Sequence, residues 1–318
     1  VAGIGSRLRP HTHTVPKVLI HIARKPIISY IIDKLKDRGE MEFVLILGYL
    51  GDKIREYLLA TYPDQKFHFI DQVERKGLGH AIYLAKDVME DDEEVLIVLG
   101  DTIFDTDYKF LKENRSVLAV KKVKDPRRFG VAVTKGESIV KLVEKPAEFI
   151  SDLALVGIYY IMKWSRLQHS IEHIMENDIK TRGEYQLTDA LQQMINDGED
   201  FGVAFTEGWY DCGKPETLLS TNKFLLSKST EVHSLKSVIV IPPCYIPEDT
   251  DIQDSVIGPY VSVGSGSIIR SSIIKNSILD RKSEIYNMNL DNSILGKNAW
   301  VKGHSRQLNI GDSSEVEF

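Results

Sequence analysis

The chain has 318 residues, 42% of them hydrophobic and 27% charged, with a formal net charge of -6; that length exceeds one compact core and points to about two domains of an ordinary globular protein. The negative balance excludes a general nucleic-acid binder, which needs a basic face to displace counterions from phosphates. With only Cys212 and Cys244 there is no disulfide framework and no thiolate metal site, so a reducing, cytoplasmic setting is expected.

The longest apolar runs, such as Phe43 to Leu47 and Val95 to Leu99, have strand length, well below the roughly 20 residues a membrane span needs. No charged and apolar leader opens the chain, so secretion is not indicated. The chain starts at Val1-Ala2, directly before a glycine-rich loop. A strand of about five residues would normally deliver such a loop, so a few upstream residues are expected.

From residue 26 to about 120, strand-like runs alternate with amphipathic stretches, an α/β rhythm. Apolar residues at Ile27, Ile28, Ile31, Ile32 and Leu35 predict a helix with one buried face over Pro26 to Arg38, stopped by Gly39. Strands are predicted at Phe43 to Leu47, Phe67 to Ile70 and Val95 to Leu99, with helices at Asp52 to Ala60 and Leu78 to Met89. Parallel strands joined by these helices are the economical arrangement. Short strands then crowd together at Val117 to Val120, Val131 to Thr134, Ile139 to Val143 and Val156 to Ile161, as in an antiparallel insertion. Helices resume at Trp164 to Met175, Leu187 to Asn196 and Pro215 to Leu226.

After Ser237 the helical pattern ends, and Ile, Val or Leu recurs every five or six residues from Ile246 to Val301. Small and polar residues fill the intervals. This repeat suits a parallel β-helix whose coils stack their apolar corners, and about three coils are expected. An antiparallel sandwich would need strict period-2 alternation, which is not found. Domains of 1–230 and 236–318 follow.

The strongest local pattern is Gly3-Ile4-Gly5-Ser6-Arg7-Leu8-Arg9-Pro10, followed by Val15-Pro16-Lys17. Two glycines let backbone approach phosphate oxygens, and Arg7 and Lys17 can neutralise a triphosphate. The dinucleotide fingerprint lacks its third glycine, since Leu8 stands there, and no GxxxxGK[ST] occurs. Downstream, a Gln amide at Gln72 can pair with a base edge, and Gly77 permits close backbone approach. The strand Val95 to Leu99 ends in Gly100-Asp101, which puts a carboxylate where parallel sheets bind ligands. Mg²⁺ takes such oxygen ligands, commonly one or two carboxylates plus substrate phosphates. Asp105 and Asp107 read as loop and cap residues, and His80 as a helix-surface residue.

The opening segment resembles the signature loop of the sugar nucleotidylyltransferases, roughly GxGxRLxPxTxxxPK, matched at Gly3, Gly5, Arg7, Leu8, Pro10, Thr12, Pro16 and Lys17. The resemblance implies a Rossmann-like mixed, mostly parallel α/β sheet flanked by helices and followed by a small left-handed β-helix of hexapeptide repeats. It implies that Gly3, Gly5 and Ser6 wrap the triphosphate, that Arg7 meets the departing pyrophosphate and that Lys17 steadies the α-phosphate. By likeness to thymidylyl- and uridylyltransferases, Gln72 and Gly77 would read the base. Gly208-Trp209-Tyr210-Asp211-Cys212-Gly213-Lys214-Pro215-Glu216 resembles the family's late W-x-D-x-G-T-P-E segment, with Lys214 for the usual Thr. Asp211 would therefore join Asp101 in holding Mg²⁺. Phe129-Gly130-Val131, Glu144-Lys145-Pro146 and Val156-Gly157-Ile158-Tyr159 resemble its YGV, EKP and GxY segments. Gly130, Glu144, Gly157 and Tyr159 would then line the sugar site, with Lys145 on its phosphate. Gly183 to Asp189 also matches, as a structural segment that caps the helix at Leu187 through Thr188 or a neighbour.

The activity so implied joins a nucleoside triphosphate, dTTP or UTP, to a hexose 1-phosphate such as glucose 1-phosphate, releasing pyrophosphate. The substrate's phosphate oxygen is already ionised, so no general base is needed, and the chain offers no persuasive nucleophile–histidine constellation. Guanylyl transfer to mannose 1-phosphate, adenylyl transfer to glucose 1-phosphate and a catalytically silent sugar-nucleotide-binding subunit are the rivals. A silent subunit should have lost a carboxylate or lysine, and all are present. Tails of this kind mediate assembly in relatives, so a homo-oligomer is expected; with few coils and one histidine, His304, an acyltransferase tail is not.

Overall fold

The structure is a computed structural model and describes residues 1–304. Two compact units divide it: 1–20 with 26–217, and 21–25 with the chain from 218 onward. In chain order, three short 3₁₀ turns (Ser6–Leu8, His11–His13, Lys17–Leu19) lead to a two-stranded ribbon, β1 (His21–Ile22) and β2 (Lys25–Pro26). There follow α1 (Ile27–Lys36), β3 (Phe43–Leu47), α2 (Gly51–Thr61), β4 (Phe67–Asp71), α3 (Leu78–Tyr83), β5 (Val95–Val98) and β6 (Thr102–Asp105). The chain continues through β7 (Ser116–Lys122), β8 (Gly130–Lys135), β9 (Ser138–Glu144), β10 (Leu153–Ile161), α4 (Trp164–Glu176), α5 (Leu187–Asn196), β11 (Phe201–Phe205), β12 (Gly208–Asp211) and α6 (Pro215–Ser227).

Helix α1 forms where the periodicity places it. Its five apolar residues are all buried, each contributing about 1.5–3 kcal/mol by leaving water. Lys34 and Lys36 lie in its last turn, where cations suit the helix dipole. The predicted helix over Leu78 to Met89 is shorter: α3 ends at Tyr83 and the chain tightens to a 3₁₀ turn over Leu84–Asp87, a common way for a helix to finish.

The fold is the expected mixed α/β sheet, but the parallel share of its described pairings is smaller than the sequence suggests. Parallel pairs are β3 with β4 and β7 with β11. The six-stranded sheet runs β5-β10-β7-β11-β9-β8, and β10 pairs antiparallel with β5, β7 and β8. Loop length explains this. Only Gly136 and Glu137 separate β8 from β9, and a two-residue connection can join only antiparallel neighbours. Gly136 takes the positive φ, 64°, that such a turn requires.

Strand β7 shows how the sheet divides two cores. Leu118 and Val120 face a cluster with Trp164, Leu167 and Leu191 from α4 and α5, whereas Val117 and Ala119 face a cluster with Ile28 and Ile32 of α1 and Ile54 and Leu58 of α2. Successive side chains point to opposite faces, so one strand serves both layers.

The second unit is built from three four-stranded parallel sheets, consistent with a left-handed β-helix. Val238 pairs with Ser255, Val256 with Ile273 and Ile273 with Asn289, so one coil takes sixteen or seventeen residues. Each face carries four layers rather than the expected three. Ile257, Ile269, Ile274 and Ile285 fill the interior, none with any exposure. At one corner Ser237, Asp254, Ser271 and Asn287 recur with φ between 49° and 59°, apart from Ser271 at 46°; short polar side chains tolerate that left-handed backbone best.

Inside the corners, serines satisfy the backbone in series. The Ser255 hydroxyl accepts from Ser272 N–H at 3.1 Å, and the Ser272 hydroxyl accepts from Met288 N–H at 3.1 Å. Ser267 receives Ser283 N–H at 3.2 Å, and Ser277 receives Ser293 N–H at 3.1 Å. Each hydroxyl also donates to a carbonyl of its own coil, as Ser272 does to Arg270 at 2.7 Å.

Candidate active site

The glycine-rich loop folds onto its own downstream end. Gly5 has φ 69°, and a Cβ there would lie 2.9 Å from Thr12 Cγ2 and 3.1 Å from Lys17 Cβ, so only glycine fits. The Thr12 hydroxyl donates to Gly5 O at 2.8 Å and holds the turn closed, with Leu8 fully buried beneath it.

Lys17 is nearly buried, and its Nζ donates to Asp101 Oδ2 at 2.9 Å. Asp101 remains 45% exposed toward the cleft. Burial works against its ionisation, but the Lys17 ammonium outweighs that and holds the carboxyl below its ordinary range. The carboxylate therefore stays charged through the physiological range and well into acid.

Asp211 reaches the same place from the other end of the unit. Strand β12 pairs antiparallel with β6, which sets Asp211 opposite Thr102, and Cys212 N–H donates to Asp101 O at 3.0 Å. The Thr217 hydroxyl donates to Asp211 Oδ2 at 3.2 Å. Gly213 lies against both Asp211 and Arg7: a Cβ there would be 2.7 Å from Asp211 Oδ1 and 2.9 Å from Arg7 Nη2. Thus Lys17 and Asp101, far apart in sequence, form an ion pair, and Arg7 and Asp211 are brought near each other around Gly213.

A cavity of about 1360 Å³ opens over this cluster and is lined by Gly3, Gly5, Ser6, Arg7, Lys17, Gln72, Gly77 and Asp101. Part of that volume runs on between the edges of β3 and β5, along Phe43 to Ile46 and Val95 to Val98, so the polar cleft is only one portion of it. Gln72 is anchored through its N–H to Leu47 O at 2.7 Å. Gly77 has φ 114°, and a Cβ would stand 2.4 Å from Tyr185 O. Tyr185 N–H donates to Lys76 O at 2.8 Å and Gly79 N–H to Tyr185 O at 2.9 Å, so Gly77 is demanded by this backbone crossing. His80, expected on the helix surface, is instead buried, 8% exposed, with Nδ1 unpartnered. The backbone of Tyr185 and Gln186 crosses at the neighbouring Gly77 and Gly79, and burial, then nearby Lys76, lowers the pKa of His80.

Glu144, Lys145 and Gly130 meet at the end of the β8–β9 hairpin. Gly130 is the register partner of Glu144, Lys145 Nζ lies 2.8 Å from Glu144 Oε1, and the Glu144 side chain is 9% exposed. Gly157, at φ 97°, admits Leu99, whose Cδ1 would be 2.7 Å from a Cβ, and it accepts Leu99 N–H at 2.9 Å. Tyr159 is buried, and burial, then the carboxylates of Glu144 and Asp101, push its phenol far up. It lies within electrostatic reach of both carboxylates. Asp107 accepts Lys109 N–H at 3.1 Å in its loop.

Sequence reasoning misplaced Thr188. Gln186 occupies the N-cap of α5 with no side-chain cap bond, and the Thr188 hydroxyl donates instead to Glu144 Oε2 at 2.8 Å. Thr12, Gly213 and Thr217 were also missed in their site roles; the sequence signal for Thr12 and Gly213 is their place within the two matched segments, and Thr217 follows directly on the second.

Residues 1–228 match the nucleotidyl transferase family. A low-salt glycan biosynthesis nucleotidyltransferase, Agl11, from Haloferax volcanii is 32% identical, over 99% of this chain and 98% of that protein. A glucose-1-phosphate thymidylyltransferase from Streptomyces antibioticus is 30% identical, over 99% and 97% respectively. Among solved structures, a UDP-glucose pyrophosphorylase complexed with UDP-glucose shares the fold at TM-score 0.62 and 24% identity, over 72% of this chain and 97% of that one.

Proposed function

The chain belongs to the nucleotidyl transferase family, and we propose that within it this protein joins a pyrimidine nucleoside triphosphate, dTTP or UTP, to a hexose 1-phosphate, glucose 1-phosphate above all, giving a nucleoside diphosphate sugar and pyrophosphate. The observation that carries this reading is the approach of Asp101, just before β6, to Asp211 at the end of β12, joined by the Cys212 N–H to Asp101 O bond, with Lys17 on Asp101 and Arg7 beside Gly213. The thymidylyltransferase from Streptomyces antibioticus, similar over nearly the whole chain, supports the choice of base and sugar.

The donor set fits Mg²⁺: the carboxylates of Asp101 and Asp211, on segments held together by the β6–β12 pairing, offer oxygen ligands, and Mg²⁺ commonly takes one or two carboxylates with water and substrate phosphates. When bound, the ion supplies charge neutralisation to the triphosphate. Asp101 and Asp211 would hold it.

The remaining work falls to side chains. A phosphate oxygen of the sugar phosphate attacks the α-phosphorus, the new P–O bond forms, and the bond to the β-phosphate oxygen breaks. No proton moves, because nucleophile and leaving group are both anions. Lys17 and Arg7 offset charge on the α-phosphate and the departing pyrophosphate, while Lys145 holds the attacking phosphate in line. The loop of Gly3, Gly5 and Ser6 cradles the triphosphate, and Gln72 with the backbone at Gly77 reads the pyrimidine edge. Glu144 accepts from hexose hydroxyls over Gly130.

The test is pyrophosphate release with Mg²⁺ across five nucleoside triphosphates and the 1-phosphates of glucose, galactose, mannose and N-acetylglucosamine. Release that requires both partners and is fastest with dTTP or UTP and glucose 1-phosphate is expected. Release with GTP and mannose 1-phosphate alone would reassign the substrates, and binding without release would leave a silent sugar-nucleotide-binding protein.

A further inference from the structure

Glu144 has both of its carboxylate oxygens engaged: Lys145 Nζ lies at 2.8 Å from Oε1 and the Thr188 hydroxyl at 2.8 Å from Oε2. Two bonds on opposite oxygens fix the plane of a carboxylate, and each oxygen keeps a further acceptor direction for a ligand. Thr188 is itself 5% exposed and sits in the first turn of a ten-residue helix, so its hydroxyl has little freedom to turn elsewhere. The helix does not use that hydroxyl as its cap. Gly130 closes the arrangement from below, because a Cβ there would lie 2.9 Å from Thr188 Oγ1 and 3.0 Å from Glu144 Oε2. Three segments therefore converge on the orientation of one side chain.

We infer that Thr188 is a positioning residue for sugar recognition: its hydroxyl fixes the Glu144 carboxylate so that the free acceptor directions meet adjacent hexose hydroxyls, and so helps set which hexose epimer is accepted. The inference rests on the sugar-phosphate reading of Glu144 given above. Lys145 cannot do this work alone. It is tethered by the same backbone as Glu144, with φ 43° at its own residue, and in the proposed reaction its ammonium also faces the sugar phosphate. When Lys145 turns to that phosphate, the Thr188 bond is what keeps Glu144 in place.

The decisive comparison is Thr188→Val, which keeps the shape and removes the donor, against Thr188→Ser, which restores the donor. Expected for Thr188→Val is a rise of about tenfold in KM for glucose 1-phosphate, the scale of one lost hydrogen bond. The triphosphate KM should stay within about twofold, and preference for glucose over galactose 1-phosphate should shrink. Thr188→Ser should recover most of the sugar KM. A double-mutant cycle adds a readout that simple packing would not move: in a Glu144→Gln background the Val substitution should lose most of its effect. Equal losses in Thr188→Val and Thr188→Ser, an unchanged sugar KM, or full additivity with Glu144→Gln would overturn the inference. Calorimetric titration with glucose 1-phosphate separates the two levels. Wild-type protein that binds the sugar phosphate but releases no pyrophosphate refutes the enzyme reading, while weaker binding by Thr188→Val alone still supports the positioning role; absence of binding by wild-type protein refutes both.

Discussion

Buried polar groups are handled in different ways in the α/β unit and in the coil. In the coil, most buried hydroxyls belong to a series: Ser255, Ser272 and the backbone of Met288 repeat one hydrogen-bonding solution at successive turns, while Ser262 donates instead to Asn222. In the α/β unit each solution occurs once. Lys17 is neutralised by Asp101, Glu144 by Lys145 and Thr188, and a few atoms are left over, including His80 Nδ1 and Asp189 Oδ2. Among the described residues of the coil, 238–304, no buried side-chain atom is left unpartnered in this way. A repeated solution is robust and chemically closed, whereas a single one can leave donors and acceptors for a ligand. The coil thus reads as scaffold and the charged cluster as machinery.

The sharpest way to break that contrast is to remove one member of the cluster. Lys17→Met should lower pyrophosphate release by about 10³-fold, roughly 4 kcal/mol of transition-state stabilisation, with substrate KM values changing far less. Steady-state kinetics beside a thermal melt separates that outcome from simple unfolding. In the coil the same scale of effect should appear in stability. Ile274 has no exposure, and Ile274→Ala should cost about 3 kcal/mol through lost transfer energy and a residual cavity, read from chemical denaturation.

A smaller effect tests the serine series. Ser272→Ala leaves Met288 N–H without its acceptor, and about 1–2 kcal/mol should be lost. If Ser272→Ala proves neutral, the ladder is ornament and the contrast with the α/β unit weakens.

The smallest effect is a slope with pH. His21 is pushed down to about 4, by burial first and then by the Arg281 guanidinium, against the opposing pull of Asp280. Its folded pKa lies below the unfolded value, so between roughly pH 6.5 and pH 4 the unfolded chain binds the extra proton. Stability must therefore fall as pH falls through that window, by on the order of 1 kcal/mol from pH 6 to pH 5. His21→Gln should flatten this component, as followed by melts across the same range.

What could be read from the sequence divides along the same line. The coil was visible because its apolar residues recur, and α1 because Ile27 to Leu35 follow a helical face; periodicity survives without knowledge of neighbours. The glycine loop and Asp101 were visible because a local segment carries them. Thr188 was not, since its partner lies 44 residues away and nothing in its own segment distinguishes a cap from a long-range donor. His80 was misplaced for a like reason: it is buried in the fold, where the backbone against its neighbours Gly77 and Gly79 arrives from Tyr185 and Gln186. Gly157 resembled a sugar-site glycine, yet its positive φ and missing Cβ serve the approach of Leu99. The parallel share of the sheet was overestimated because element order does not reveal which strands become neighbours.

The claim most open to direct test is that Asp101 and Asp211 act together as the acidic pair of the reaction. Pyrophosphate release should be measured for Asp101→Asn, Asp211→Asn and the double variant, at saturating triphosphate and sugar phosphate, with melts confirming intact folding. The account predicts a fall of about 10²-fold or more for each single variant and little further loss in the double, as for residues that work as a unit. Near-normal release from either single variant, with its fold intact, would contradict it.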